Sequence, residues 1–310
     1  MKYIVITGSS GLVGTELIHN LLQRDEFFII ALTTSLASMK ERYAGVENII
    51  CMDLNQFSQD LHNYPLSALI HCGFSRSASG NKIASSLQYI EKLLATVKGS
   101  SLKTFVNISS QSVYGQSSPP LWKEEIPVDP DYLYAMGKFS SELIVNGMLA
   151  DTSINYTNIR LASVNENARF LQVFVKNAIT GIPIKVLGGA QSVSLIDVRD
   201  VANALEKVID NCDHPFSKIY NLGTGQTRTI LELAKDVKRL YESENKDVVI
   251  NVEDSDIVLN VGMDSIKFQS EFNWTPEYDY DDMIKSLLNY NLNVHDNEGK
   301  IGIKYDIFIL

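Results

Sequence analysis

Long apolar runs are missing from this sequence. The longest, such as Phe27 to Leu32, are strand-sized, far short of the roughly 20 residues that a membrane helix needs. Cysteine is scarce: Cys51, Cys72 and Cys212 are far apart, odd in number and in no Cys-x-x-Cys pair. A disulfide scaffold and a structural zinc site are therefore not expected, and buried thiols in a reducing compartment are. Positive charge is in the minority, with 27 Lys and Arg against 37 Asp and Glu and a formal net charge of −10. A nucleic-acid-binding surface needs the opposite balance, although a local site for an anion is compatible with it. His19, His62, His71, His214 and His295 have no metal-ligand spacing, so no metal is expected. The first residues lack the apolar core and small-residue cleavage site of a secretory signal, and the expected location is the cytoplasm.

What is present is a chain of 310 residues, 45% hydrophobic and 21% charged, with ample material for a full core. Its first half alternates short apolar runs with helical spacing. Strands are predicted at 3–7, 27–33, 48–52, 67–72, 104–109 and 155–161, and helices at 12–22, 83–97 and 132–149. Continuous apolar strands between helices predict the α/β class: a Rossmann-type doubly wound parallel sheet covered on both faces. Beyond residue 161 the pattern loosens, with helices predicted at 170–179, 198–209, 230–241 and 282–292. The last residues, 299–310, alternate Ile301, Ile303, Tyr305, Ile307 and Ile309. That is a half-buried strand pattern, expected to pack on its own sheet or on a neighbouring subunit.

The first strand ends in Thr7-Gly8-Ser9-Ser10-Gly11-Leu12-Val13-Gly14. Gly8 allows the tight turn, Gly11 leaves room for a pyrophosphate, and Gly14 lets the helix pack closely. The amides around Ser10, Leu12 and Val13 then face the phosphates at a helix start. A dinucleotide is the expected ligand, NAD or NADP. The second strand ends Ala31-Leu32-Thr33-Thr34-Ser35, with no carboxylate for a ribose 2′-hydroxyl. Its absence removes the main repulsion against NADP, and the balance leans slightly that way. Thr33, Asp53 and Leu54 are candidate cofactor contacts, with a solvated turn as the alternative for Asp53. The chain thus divides into a dinucleotide-binding domain at 1–161, to which it returns around 190–225, and a mostly smaller substrate-binding region at 162–310.

Tyr134 and Lys138 are four apart on a predicted helix and share a face. Lys138 can lower the Tyr134 pKa, and Tyr134 can exchange a proton as a hydride moves. With 14 tyrosines the spacing alone is weak evidence. Its weight comes from Ser109 to Gly115, which follows a strand at the carboxyl edge of the sheet, where ligands of such sheets bind. Ser110 can donate to a carbonyl there.

These three motifs, in this order, resemble the extended short-chain dehydrogenase/reductase family, which includes NAD-dependent sugar epimerases and dehydratases. Gly8, Gly11 and Gly14 fit its TGxxGxxG loop, Ser109 to Gly115 its SSxxVYG segment, and Tyr134 with Lys138 its YxxxK. Residues 196–202, 219–225 and 273–276 resemble three later family segments. The resemblance implies Ser110, Tyr134 and Lys138 as catalytic residues, His71 beside the cofactor, and a homodimer through helices 83–97 and 132–149. It implies an NAD(P)-dependent oxidoreductase or epimerase, moving hydride at a secondary alcohol or ketone of a sugar-like or nucleotide-linked substrate. The departures narrow this. The Asp-Glu pair of the family's 4,6-dehydratases is Gln111-Ser112 here. The arginine usual against a substrate diphosphate is Val193, and a second is missing from 252–263. Arg169 and Arg228 are possible substitutes. The alternatives are an NADPH-dependent carbonyl reductase on a non-nucleotide substrate and a noncatalytic dinucleotide-binding regulator.

Overall fold

The fold is that of a computed structural model, which describes residues 1–116, 120–242 and 247–296. The 299–310 tail lies outside the described residues. Seven parallel strands form the central sheet: β1 (Lys2–Thr7), β2 (Phe27–Leu32), β3 (Ile49–Met52), β4 (Leu66–His71), β5 (Thr104–Ser110), β6 (Asn155–Leu161) and the strand Ile219–Leu222. The last lies outside β6, and the order continues β5, β4, β1, β2, β3. The order reverses between β1 and β4, and a crevice opens at their carboxyl ends.

Two-residue periodicity sorts the sheet's side chains into two layers. Ile4, Ile6, Ala68, Ile70, Val106 and Ile108 pack on the side of α1 (Leu12–Leu21). Val5, Leu69 and Phe105 face the opposite core. That core holds the inner stripes of α4 (Gly80–Val97) and α5 (Leu133–Leu149). Two short helices were not evident in the sequence, α2 (Leu36–Arg42) and α3 (Leu54–Asp60). Each buries one side chain, Met39 and Phe57, too little for a readable stripe.

A second core lies under α6 (Arg169–Thr180), α8 (Ile230–Glu242) and α10 (Tyr280–Asp296). Leu171, Val175, Leu233, Val237, Met283 and Ile284 meet there with Ile184 and Val186. The strand Ile184–Leu187 pairs with Ile250–Glu253, and both are too short for a clear sequence signal. Two further helices, α7 (Val198–Asp210) and α9 (Ile266–Phe272), complete the set. The α7 helix is tied to α1 and its C-terminal turn by Asn20–Asn203 and by Arg24 with Asp210.

A column of polar side chains pins α5 to the sheet. Lys138 Nζ donates to the Ile108 carbonyl at 2.7 Å. Asn107 Nδ2 donates to Ser141 Oγ at 3.1 Å and to Asn158 Oδ1 at 2.9 Å. Asn158 Nδ2 donates in turn to Asn146 Oδ1 at 3.0 Å. Between these, Glu142 takes two hydrogen bonds from Arg160, at 3.0 and 2.8 Å, and one from Ser109. The spacing of 138, 141/142 and 146 follows one face of the helix.

Candidate active site

The glycine loop links β1 to α1. Gly8 has φ +63°, and a Cβ there would lie 2.7 Å from the Gly73 backbone. A Cβ at Gly14 would lie 2.4 Å from the Gly8 carbonyl oxygen, so the first turn of α1 rests directly on the loop. Ser9 Oγ donates to the Leu32 carbonyl at 2.9 Å and fixes the loop to β2. Gly11 is the N-cap, and its Cβ would meet only the Gly8 carbonyl oxygen, at 3.1 Å. Ser10 and Gly11 are exposed, and Leu12 and Val13 half-buried. The helix start is therefore open and its first amides face outward, as a bound pyrophosphate requires.

Among the other cofactor candidates, Thr33 is buried and accepts from the Ser35 amide at 3.0 Å. Asp53 caps α3, accepting from the Gln56 amide at 2.8 Å, which commits one carboxylate oxygen. Leu54, half-buried, opens that helix. Arg42, the nearby arginine, places its guanidinium 3.3 Å from Thr15 Oγ1.

His71 ends β4 beside Thr7. Thr7 Oγ1 accepts from the Gly73 amide at 3.3 Å and shares a hydrogen bond of 2.7 Å with His71 Nδ1. The imidazole is buried, and its Nε2 has no partner among the described residues. Burial, then the Lys138 charge, pushes its pKa down to about 3. An unfolded histidine titrates near 6.5. This contribution is therefore complete above pH 6.5 and is lost as pH falls toward 3. Wild type is expected to lose about 3 kcal/mol between pH 7 and pH 4 from this group. His71→Gln should show a correspondingly flatter fall in urea midpoint over that range. An equal fall in both proteins would place the acid sensitivity elsewhere.

Ser110, Tyr134 and Lys138 converge at the carboxyl edge. Ser110 Oγ accepts from the Ser112 amide at 3.2 Å and from its hydroxyl at 3.0 Å. Tyr134 lies within hydrogen-bonding reach of Ser110, and its half-buried phenol is pushed up to about 12 by burial. The Arg76 charge opposes that shift. Lys138 Nζ stands 5.9 Å from the Tyr134 ring centroid. Burial lowers its pKa to about 7. Its ammonium donates to Ile108 O, which leaves further ammonium protons for ribose hydroxyls. The exposed glycine cradle and this buried lysine fit a dinucleotide.

The structure adds residues that the sequence did not single out. Phe74 packs edge-on to Tyr134, and Lys138 Nζ stands 4.4 Å from its ring centroid. Tyr132 stacks 6.3 Å from Tyr134 and lies within hydrogen-bonding reach of Ser112. Arg76 is exposed on the loop after β4. Gly73 after a buried strand was the available signal for this loop, but its partners are distant in sequence. Cys51 and Cys212 are buried as expected. Cys72 is not: it is half-buried beside Lys138, with its thiol pushed up to about 12 by burial. Its place is the cleft itself, because β4 ends one residue earlier.

The NAD dependent epimerase/dehydratase family matches residues 4–223. The chain belongs to that family. It is an enzyme of the group, with the Rossmann-type fold of its members. A dTDP-glucose 4,6-dehydratase of Haemophilus influenzae is 23% identical, over 94% of this chain and 98% of the relative. UDP-glucose 4-epimerase 1 of Oryza sativa subsp. japonica is 22% identical over 94% of both. A solved UDP-glucuronic acid 4-epimerase of Bacillus cereus, in complex with UDP-glucuronic acid and NAD, superposes with a TM-score of 0.80. It shares 17% identity over 94% of this chain and 99% of the other. Among the described residues no helix is long and apolar enough to cross a membrane.

Proposed function

We propose that this family member is an NAD-dependent epimerase-type oxidoreductase acting at a secondary alcohol or ketone of a nucleotide-linked sugar. The observation that carries the reading is the convergence of Ser110, Tyr134 and Lys138 beside an open glycine cradle. Bound NAD supplies the hydride acceptor. Tyr134 takes the substrate hydroxyl proton or returns it to the carbonyl oxygen. Lys138 favours the phenolate through its charge and holds a ribose hydroxyl. Ser110 donates to the oxygen as negative charge develops on it.

The lean toward NADP finds no support. The family is described as NAD dependent, and solved relatives name NAD. The end of β2 carries no cation, and Arg42 is turned to Thr15. Dehydration is disfavoured although some relatives are dehydratases. Gln111, buried, donates to Ser163 Oγ at 3.0 Å, and neither it nor Ser112 carries an acid. The comparisons favour neither the non-nucleotide reductase nor the noncatalytic regulator. A homodimer through α4 and α5 belongs to this reading, supported by exposed Met136 and Leu143 on α5.

Purified protein is expected to release NAD on acid denaturation and to bind NADH at least about tenfold more tightly than NADPH, as titrations of stripped protein would read. An epimerase that returns its hydride internally has to retain the cofactor. Tighter NADPH binding with free exchange would replace this reading by a released-cofactor reductase.

A further inference from the structure

Four hydroxyl groups form one line at the reacting end of the cleft. Tyr132 is the N-cap of α5, with an extended backbone at φ −140° and ψ 162°. Its ring lies 6.3 Å from that of Tyr134 and 23° from parallel. The two phenols meet the same short segment after β5. Tyr134 hydrogen-bonds the Ser110 side chain, and Tyr132 hydrogen-bonds that of Ser112. Between them, Ser112 Oγ stands 3.0 Å from Ser110 Oγ. Ser110 caps the turn Gln111–Tyr114 by accepting from the Ser112 amide at 3.2 Å. That amide bond serves the turn by itself, so the Ser112 hydroxyl is not needed to hold the backbone.

Donor accounting gives the line a direction. A hydroxyl has one proton to give and two lone pairs with which to accept. Ser110 Oγ accepts twice, from the Ser112 amide and from the Ser112 hydroxyl. Its own proton is therefore left to be donated toward Tyr134, where the substrate oxygen must come. Ser112 has given its proton to Ser110 and is left to accept. Tyr132 is the phenol beside it, kept protonated at neutral pH because burial raises its pKa. Each donation in such a row polarises the next hydroxyl and makes it a better donor. The outer end of the row, Tyr132, stays 43% exposed, so neither substrate nor sheet packing commits its oxygen elsewhere.

We infer that Tyr132 is a positioning residue: through Ser112 it aims the Ser110 proton at the reacting oxygen of the substrate. This role rests on the proposed reaction of the cleft. It also gives a task to Ser112, which stands where the dehydratases of the resembled family carry an acid.

The test is steady-state kinetics of the full chain with NAD and a panel of UDP- and dTDP-sugars, beside NADH fluorescence titration. Tyr132→Phe and Ser112→Ala are each expected to lower kcat about 3- to 10-fold, with KM and NAD affinity within about twofold. Phenylalanine keeps the ring stacked on Tyr134, and alanine keeps the amide that caps the turn. The double variant should match Ser112→Ala within about 1.5-fold, because both changes cut one row. Ser112→Thr keeps the hydroxyl and should recover at least about half of the wild-type kcat. A kcat within about 1.5-fold of wild type in Tyr132→Phe overturns the inference, as do losses that multiply in the double variant. A loss above about 100-fold in Tyr132→Phe also overturns it, since Tyr132 would then exchange the proton itself. These results leave the proposed reaction standing. A wild type that turns over none of the panel removes the reaction and this role together.

Discussion

Tyr134→Phe is expected to lower kcat by about 10²- to 10⁴-fold while NAD affinity stays within about twofold. The substitution removes one oxygen and keeps the ring, so the edge contact with Phe74 and the stack on Tyr132 persist. What is lost is the proton held beside Ser110. Burial pushes that proton's pKa up to about 12, so the phenol is protonated at neutral pH and ready to protonate a carbonyl oxygen. In the opposite direction it must ionise, which the charge of Arg76 and the hydrogen bond with Ser110 favour. Steady-state kinetics with a nucleotide-sugar panel, beside NADH fluorescence titration, checks the result. A kcat within about threefold of wild type would move the proton to another group. Tyr132 is the first candidate, because it is the second phenol joined to Ser110, through Ser112.

Glu142→Ala is expected to cost about 3–5 kcal/mol of stability, a fall of roughly 10 °C in Tm for a chain of this size. Glu142 and Arg160 are both buried, joined by two hydrogen bonds, with the guanidinium 4.8 Å from the Tyr114 ring centroid. Removing the carboxylate strands a buried guanidinium that water cannot reach. The double replacement Glu142→Leu with Arg160→Leu should be nearer to wild type than either single change, because no unpaired charge remains. Thermal unfolding of Glu142→Ala, the two single leucine variants and the double variant decides it. A loss under 1 kcal/mol in Glu142→Ala would mean that water or a shifted side chain solvates Arg160.

Much of this site is legible in the sequence because its motifs are local. Gly8 to Gly14 spans one turn into one helix, Ser110 ends one strand, and Tyr134 and Lys138 share one helix face. Order along the chain then places all three at one sheet edge, through the rules of parallel crossovers. Contacts that depend on register between distant segments are not legible. Gly73 meets Gly8 across two strands, and Phe74 reaches α5 from the far side of the crevice. Arg228 faces Val193 only because residues 192–193 and 228–229 pair with that register. Short elements were missed for a different reason: α2 and α3 bury one side chain each, too few to impose a period. The opposite sorting of Ile4, Val5 and Ile6 shows why the long strands were plain.

The polar column along α5 has a mechanical consequence. Each of its rungs joins the helix to β5 or β6, and none can part without leaving a buried donor or acceptor bare. A helix held only by apolar contacts can slide or fray on its own, but this one opens with the sheet edge or not at all. Opening of the cleft is therefore expected at its rim segments rather than along α5, where Tyr134 and Lys138 lie.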